Sequence, residues 1–354
     1  MKALIINPFG IGDVLFTTPA IRALKKTWPD IRISYWCNQR VKEIFRNHPD
    51  IDKVFAFSRG DLKKIYQKSW IGGTKSSFKL FADIRKEKFD IVIDYSLDHR
   101  YGLLCMLAGI KRRVGINYKN RGRFLTEKFD IDGYSGKHAV EYYLQPLEFL
   151  GIHAQDMPLE LSISENDKTS AALLLRSHGV DLSNPVVGIA AGAGGSWGKD
   201  ASYKHWPAEN FALLAKKLTQ ECNATCIFLG DASEFLIGDA VKKVFPGRWI
   251  DLIGKTSLLQ LCAVISYLDI LVTNDGGPLH IAQALKIKSV SLFGPVDDMV
   301  YGPYLRTEKQ VVLTKGLPCQ PCYQKFKLPW CHRDRECIRT ITVDEVFEGV
   351  RRLI

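Results

Sequence analysis

The sequence predicts an α/β protein of two domains, each built on a largely parallel sheet. Three observations carry that expectation. Apolar strand-like runs alternate with helix-like segments almost throughout the chain, the rhythm of strands joined by helical crossovers. The chain has 354 residues, long enough for two separate cores. Both halves open with a strand, a glycine-containing turn and a helix.

In the first half, strands are expected at Ala3 to Ile6, Ile33 to Cys37, Lys53 to Phe57 and Asp90 to Asp94. Helices between them should cover Val14 to Thr27, Arg40 to Asn47 and part of Leu62 to Lys88. The polar stretch Ser162 to Lys168, the helical Ser170 to His178 and the turn-like Asp181 to Pro185 mark a change of domain. Domains are therefore expected at 1–168 and 169–340. Strands in the second should be Val186 to Ala190, Thr225 to Leu229, Trp249 to Leu252, Ile270 to Thr273, Ser289 to Phe293 and Val311 to Leu313. Helical spacing of Val343, Val346, Val350 and Leu353 predicts a closing helix within 341–354.

Composition narrows the partners. A formal charge of +11, from 49 Lys and Arg against 38 Asp and Glu, suits a nucleotide, a phosphorylated sugar, nucleic acid or an anionic membrane surface. No base-stacking or recognition-helix motif accompanies the charge, which argues against nucleic acid. Only four apolar residues separate Lys2 from Asn7, too few for a secretory signal, and no later run spans a bilayer. The expected location is cytoplasmic. Nine cysteines include five single ones in apolar surroundings, Cys37, Cys105, Cys222, Cys226 and Cys262, expected as reduced core residues rather than disulfides.

Three loops carry chemistry. Asn7-Pro8-Phe9-Gly10-Ile11-Gly12-Asp13 follows the first strand but lacks the third glycine of a dinucleotide fingerprint and puts an acid where pyrophosphate would approach. Asp13 either caps the next helix or serves as a general base at the mouth of the sheet. The glycine-rich loop Ala191 to Gly198, with Lys204 close behind, suits a diphosphate cradle, although GxxxxGK[ST] is absent. The third loop, Asn274-Asp275-Gly276-Gly277-Pro278-Leu279-His280, ends a strand in an acid and two glycines and places a proline where a helix begins. Its free N–H groups would form an anion site. His280 reaches the same anion or packs under the sheet edge.

Together FGIGDVLFTTPAIRALKK, KHWP, DLIGKTSLLQL and NDGGPLHIAQALKIKSVSLFGPVD, in that order over nearly the whole chain, resemble the glycosyltransferase family 9 heptosyltransferases of lipopolysaccharide synthesis. The loop before KHWP and the cysteine-rich tail are more similar to the heptosyltransferase II branch. The resemblance implies a GT-B architecture, two Rossmann-like domains facing across a cleft, with acceptor on the amino-terminal side and donor on the carboxy-terminal side. It implies inverting, metal-independent transfer from ADP-heptose to a lipid A-core acceptor, with no cofactor, at the cytoplasmic surface of the inner membrane. By position, Asp13 falls on the family's base, Lys204 on its diphosphate lysine, Glu234 near the ribose and Thr256 near the adenine. Asp275, Gly276, Gly277 and His280 fall on the donor loop. Gly276 departs from the Thr or Ser common there, and Gly10 from the Ser of some relatives. The alternatives are another nucleotide sugar or acceptor, or a non-catalytic protein that binds sugar nucleotides.

Acceptor residues are expected at Gly12, Asp98, Arg100, Arg121 and Arg123, the last two within a basic run that includes Lys111, Arg112, Arg113 and Lys119. A solvated basic surface is the plainer reading of any one of them. Cys319-x2-Cys322-x8-Cys331-x5-Cys337 could hold a structural zinc, but its spacings are not those of a finger or ribbon, and reduced structural cysteines are the expectation.

Overall fold

A computed structural model describes residues 1–57, 70–192, 195–245 and 249–354. The chain forms two compact units, Met1–Ser162 and Ile163–Ile354. The division falls at the start of the polar stretch rather than at its end.

The first unit runs β1 (Lys2–Ile6), α1 (Ile11–Phe16), α2 (Thr18–Thr27), β2 (Arg32–Cys37), β3 (Lys53–Ala56), α3 (Trp70–Glu87), β4 (Ile91–Asp94), α4 (His99–Leu107), β5 (Arg112–Tyr118), β6 (Glu127–Ile131) and α5 (Ala139–Leu144). Its strands form one parallel sheet in the order β3-β2-β1-β4-β5-β6. The second unit runs α6 (Glu165–Ser177), β7 (Val186–Ala190), α7 (Ala208–Cys222), β8 (Thr225–Phe228), α8 (Phe235–Val244), β9 (Ile250–Asp251), α9 (Leu258–Ile265), β10 (Ile270–Asn274), α10 (Gly277–Ala284), β11 (Lys288–Leu292), α11 (Asp298–Tyr301), β12 (Gln310–Leu313), α12 (Glu336–Arg339) and α13 (Val343–Arg351). Its sheet, also parallel, has the order β12-β11-β10-β7-β8-β9.

Strand order reverses between β1 and β4 in one sheet and between β7 and β10 in the other. Such reversals leave a crevice at the carboxyl ends of the strands, because successive crossovers leave in opposite directions. The inner strands, such as β4, β7 and β10, are buried on both faces, as sheets covered by helices must be. Leu4 and Ile6 pack with Trp36, Val92 and Tyr101 in one cluster, while Ala3 and Ile5 are equally buried. Each such large side chain contributes about 1.5–3 kcal/mol on leaving water. α13 belongs to the second core through Val346, Phe347 and Val350.

Several expectations change. The helix expected over Val14 to Thr27 is two helices, broken at Thr17. Pro19 lacks an N–H, and Thr17 and Thr18 turn their hydroxyls onto the carbonyls of Val14 and Leu15, both at 2.7 Å. Arg40 to Asn47 contains only a short 3-10 turn, Lys42–Phe45. The amino-terminal part of the segment Leu62 to Lys88 lies outside the described residues, as do Ala193 and Gly194 of the glycine-rich loop. β5 and β6 were not expected, because β5 begins with Arg112 and Arg113 and β6 is an edge strand with intermediate and exposed residues only. Cys37, Cys105, Cys226 and Cys262 are buried and reduced, whereas Cys222 is only half-buried. Burial pushes the Cys37 and Cys226 thiols up to about 12.

Candidate active site

In the first unit the site begins at the loop after β1. Gly10 is the N-cap of α1 and supplies no side-chain cap, and Asp13, in the first turn, is not the cap residue. Asp13 instead accepts a hydrogen bond at Oδ1 from the Tyr143 hydroxyl of α5, at 2.9 Å. Burial pushes the Tyr143 phenol well above its ordinary range, and the Asp13 charge adds to the effect. Tyr143 therefore stays a neutral donor to the carboxylate. The loop is fastened by Asn7, which is fully buried. Its amide donates to the Asp13 carbonyl at 3.0 Å and its oxygen accepts from the Phe9 N–H at 3.1 Å. Asn38 at the end of β2 donates to the Pro8 carbonyl at 3.0 Å. Gly12 lies within α1, next to Asp13.

The loop after β4 is wired as tightly. Asp94, beside Ile6 in the sheet, accepts from the Ser96 N–H at 2.8 Å. Burial drives its carboxyl up to about 6, against the lowering pull of the Ser96 hydrogen bonds. Leu97 then takes a left-handed backbone, φ 55°, unusual for a side chain of its size. Asp98 caps α4 through the Arg100 N–H and holds the Arg100 guanidinium at both oxygens, at 3.0 and 2.8 Å. Partial burial raises the Asp98 carboxyl, but the Arg100 hydrogen bonds and charge outweigh it and hold it below its usual range. These two expected acceptor residues thus neutralise each other.

The basic run divides in two. Arg112 pairs with Glu127 at 3.0 Å, and Arg113 donates to the Phe124 carbonyl at 2.7 Å, so both are committed to the β5–β6 edge. Arg121 and Arg123 are exposed in the turn at the carboxyl end of β5, and no acid among the described residues pairs with either. They rest near the rings of Tyr118 and Phe124, at 5.7 and 5.1 Å. Gly122 between them is required sterically. A Cβ there would lie 2.9 Å from Asn117, whose oxygen accepts the Gly122 N–H. Because the sheet is parallel, Asp13, Asp98, Arg100, Arg121 and Arg123 all follow carboxyl strand ends at one edge.

In the second unit, Lys204 and Asp275 meet. Lys204 Nζ lies 2.6 Å from Asp275 Oδ2, with both side chains under a tenth exposed. The contact is an ion pair and not an aligned hydrogen bond, since Oδ2 has no aligned donor. The ammonium also lies 3.9 Å from the centre of the Trp197 ring. Asp275 and Gly276 lead from β10 into α10, which carries Pro278 in its first turn. Gly276 is fully extended, φ −179°, so the turn does not use glycine's left-handed freedom. His280 is buried within α10.

Asn274, fully buried at the end of β10, fastens the crevice. It donates to the Ala191 carbonyl at 2.6 Å and accepts from the Trp206 N–H at 3.1 Å. Glu234 stands at the carboxyl edge of β7 and β8. Its carboxylate lies over Gly192, where an added Cβ would fall 1.6 Å from Oε1, and it accepts from the Asp231 N–H at 3.2 Å. Thr256 lies half-buried in the turn after β9, just before Ser257, the N-cap of α9. All of these except Thr256 surround the reversal between β7 and β10 or its neighbour β8. Tyr143, Asn7, Asn274 and Trp197 were not anticipated; the buried asparagines at strand ends are the one signal that sequence offered for them.

The cysteine-rich tail holds four reduced thiols, with Cys319 exposed, Cys322 and Cys331 half-buried and Cys337 buried. Burial raises the Cys337 thiol to about 11, with the other three adding repulsion. Among the described residues, no group of three or more His, Cys, Asp or Glu side chains is placed to hold a metal ion.

The family model described as glycosyltransferase family 9 (heptosyltransferase) matches residues 77–329, well over half of the chain. The chain belongs to glycosyltransferase family 9. It is 24% identical over 360 residues to lipooligosaccharide heptosyltransferase 2 of Campylobacter jejuni, covering 100% of this chain and 98% of that one. Among solved structures, a family 9 glycosyl transferase from Veillonella parvula matches with TM-score 0.84 and 23% identity, covering 99% of this chain and 96% of the other. The Escherichia coli ADP-heptose lps heptosyltransferase II matches with TM-score 0.75 and 21% identity, covering 100% and 98%. The two units are the Rossmann-like halves of a GT-B fold, and this family 9 chain is a glycosyltransferase.

Proposed function

We propose that this family 9 glycosyltransferase transfers heptose from ADP-heptose to the Kdo or heptose region of a lipopolysaccharide inner core, with inversion and without a metal. The observation that carries the reading is the division of labour between two strand-end sites. One holds a carboxylate oriented by Tyr143 at 2.9 Å. The other holds a buried lysine 2.6 Å from Asp275 at the start of a helix. The donor and acceptor classes follow from the names of the relatives, one of which is an ADP-heptose lps heptosyltransferase.

In this reading Asp13 takes the proton of an acceptor hydroxyl as that oxygen bonds to the anomeric carbon, and the bond from that carbon to the diphosphate breaks on the opposite side. Tyr143 and Asn7 keep the base in place. Lys204, with the N–H groups of Gly276, the N-cap of α10, and of Gly277, its first residue, absorbs the charge developing on the departing diphosphate. Asp275 offers an acceptor oxygen to a donor-sugar hydroxyl, Glu234 binds the ribose, Thr256 lies near the adenine, and His280 supports the phosphate loop. Gly12 allows the acceptor close to Asp13, Arg121 and Arg123 meet acceptor phosphates and carboxylates, and Asp98 orients Arg100 beside them through its two hydrogen bonds. In this reading the enzyme works at the cytoplasmic face of the inner membrane.

Purified enzyme offered a panel of nucleotide sugars with truncated core acceptors should yield a heptosylated product by mass spectrometry with ADP-heptose alone. Product formed only from a UDP- or GDP-sugar refutes the donor assignment.

A further inference from the structure

Lys204 has an aromatic neighbour, Trp197, that the function proposed above leaves without a role. The loop Gly195–Lys204 kinks at Gly198, φ 53° and ψ −125°, a backbone region that a side chain would strain. The kink follows directly on Trp197, whose ring centre lies 3.9 Å from the Lys204 ammonium. Trp197 in turn packs against Tyr323, ring centres 4.6 Å apart.

Tyr323 comes from the cysteine-rich tail, and that tail is fastened to the donor side of the second unit. The Cys322 and Tyr323 N–H groups both donate to the Pro295 carbonyl, at 3.0 and 2.9 Å. Gln320 donates to the Gly294 carbonyl at 2.6 Å. Arg335 reaches back to the Ser202 carbonyl, two residues before Lys204, at 3.2 Å. The tail therefore holds the Trp197 loop from two sides.

From this arrangement we propose that Trp197, backed by Tyr323, is a positioning residue for the donor diphosphate. The inference rests on the function proposed above. A lysine paired only with Asp275 would lose its partner's hold whenever a diphosphate drew the ammonium away. The indole face attracts the cation without competing for its N–H donors, because the attraction is to the ring quadrupole. Lys204 can then turn its donors to phosphate while its charge stays over the ring. The tail, through Tyr323, keeps that ring in place.

The test is binding of ADP and of adenosine to the full chain, by calorimetry, for wild type, Trp197→Leu and Trp197→Phe. Leucine keeps apolar bulk and loses the quadrupole; phenylalanine keeps a ring. ADP binding should weaken about five- to thirtyfold in Trp197→Leu and recover most of the loss in Trp197→Phe, with adenosine unchanged in both. Tyr323→Leu should show a smaller loss with the same ADP selectivity. ADP affinity unchanged in Trp197→Leu overturns the proposal, and so does an equal loss for adenosine, which marks a general structural effect. If wild type binds UDP or GDP in place of ADP, the donor assignment fails, and the same comparison with that nucleotide and its nucleoside decides the role of Trp197. A wild type that binds no nucleoside diphosphate refutes both.

Discussion

Replacing Asp94 by Asn should stabilise the first unit at neutral pH. Asp94 is buried at the carboxyl end of β4, and its carboxyl is raised from an ordinary 3.8 to about 6, chiefly by burial. That difference corresponds to about 3 kcal/mol, at 1.36 kcal/mol for each tenfold change in proton affinity. The sign follows from linkage. Below pH 3.8 both folded and unfolded chains hold the proton, and the site costs nothing. Between 3.8 and 6 the unfolded chain has released it while the folded chain retains it, so stability falls as pH rises; above 6 the whole penalty is present. Asparagine removes the penalty and keeps the oxygen that accepts the Ser96 N–H at 2.8 Å. The variant should therefore exceed wild type by about 1–3 kcal/mol at pH 7.5, with the gap closing toward pH 4. Urea unfolding followed by pulsed hydrogen exchange on peptides from β1 and β4 reads the first unit separately from the second. A variant less stable than wild type at pH 7.5, or a gap independent of pH, refutes the reasoning.

Two other perturbations separate the halves of the proposed site. Tyr143→Phe removes a hydrogen bond to a carboxylate, worth about 1.5–3 kcal/mol; the acid limb of the transfer rate against pH should move upward by about one to two pH units, and an unmoved limb would show that Tyr143 does not tune the base. Lys204→Met leaves Asp275 buried without its ion partner, a loss of about 3–5 kcal/mol that the double change with Asp275→Asn should largely restore. Melting curves decide that comparison, while ADP binding should be weakened in both variants.

Fold and site were unequally legible in the sequence. Strands buried on both faces, such as Val186–Ala190, announce themselves as continuous apolar runs bounded by turns, and their alternation with helices was enough for the α/β class. β5 opens on two arginines that serve the sheet edge, and β6 offers only partly buried positions, so neither carries the apolar signal of an inner strand. Lys204 and Asp275 were each suspected from a local motif, but nothing local tells that a lysine and an acid far apart in sequence will meet at 2.6 Å. Tyr143 was invisible for the same reason, reaching Asp13 across 130 positions. Asp98 and Arg100 illustrate the converse. Close in sequence, they were expected to meet an acceptor, and what the local sequence did not announce is that an N-cap acid beside an arginine also satisfies the helix and its neighbour.

The central claim is that Asp13 removes the proton while the second unit alone holds the nucleotide. Transfer rate and ADP affinity measured on the same preparation of Asp13→Asn test it most directly. The account predicts a fall in transfer of about 10²–10⁴-fold with ADP affinity unchanged. Turnover close to wild type, or loss of ADP binding in step with activity, contradicts it.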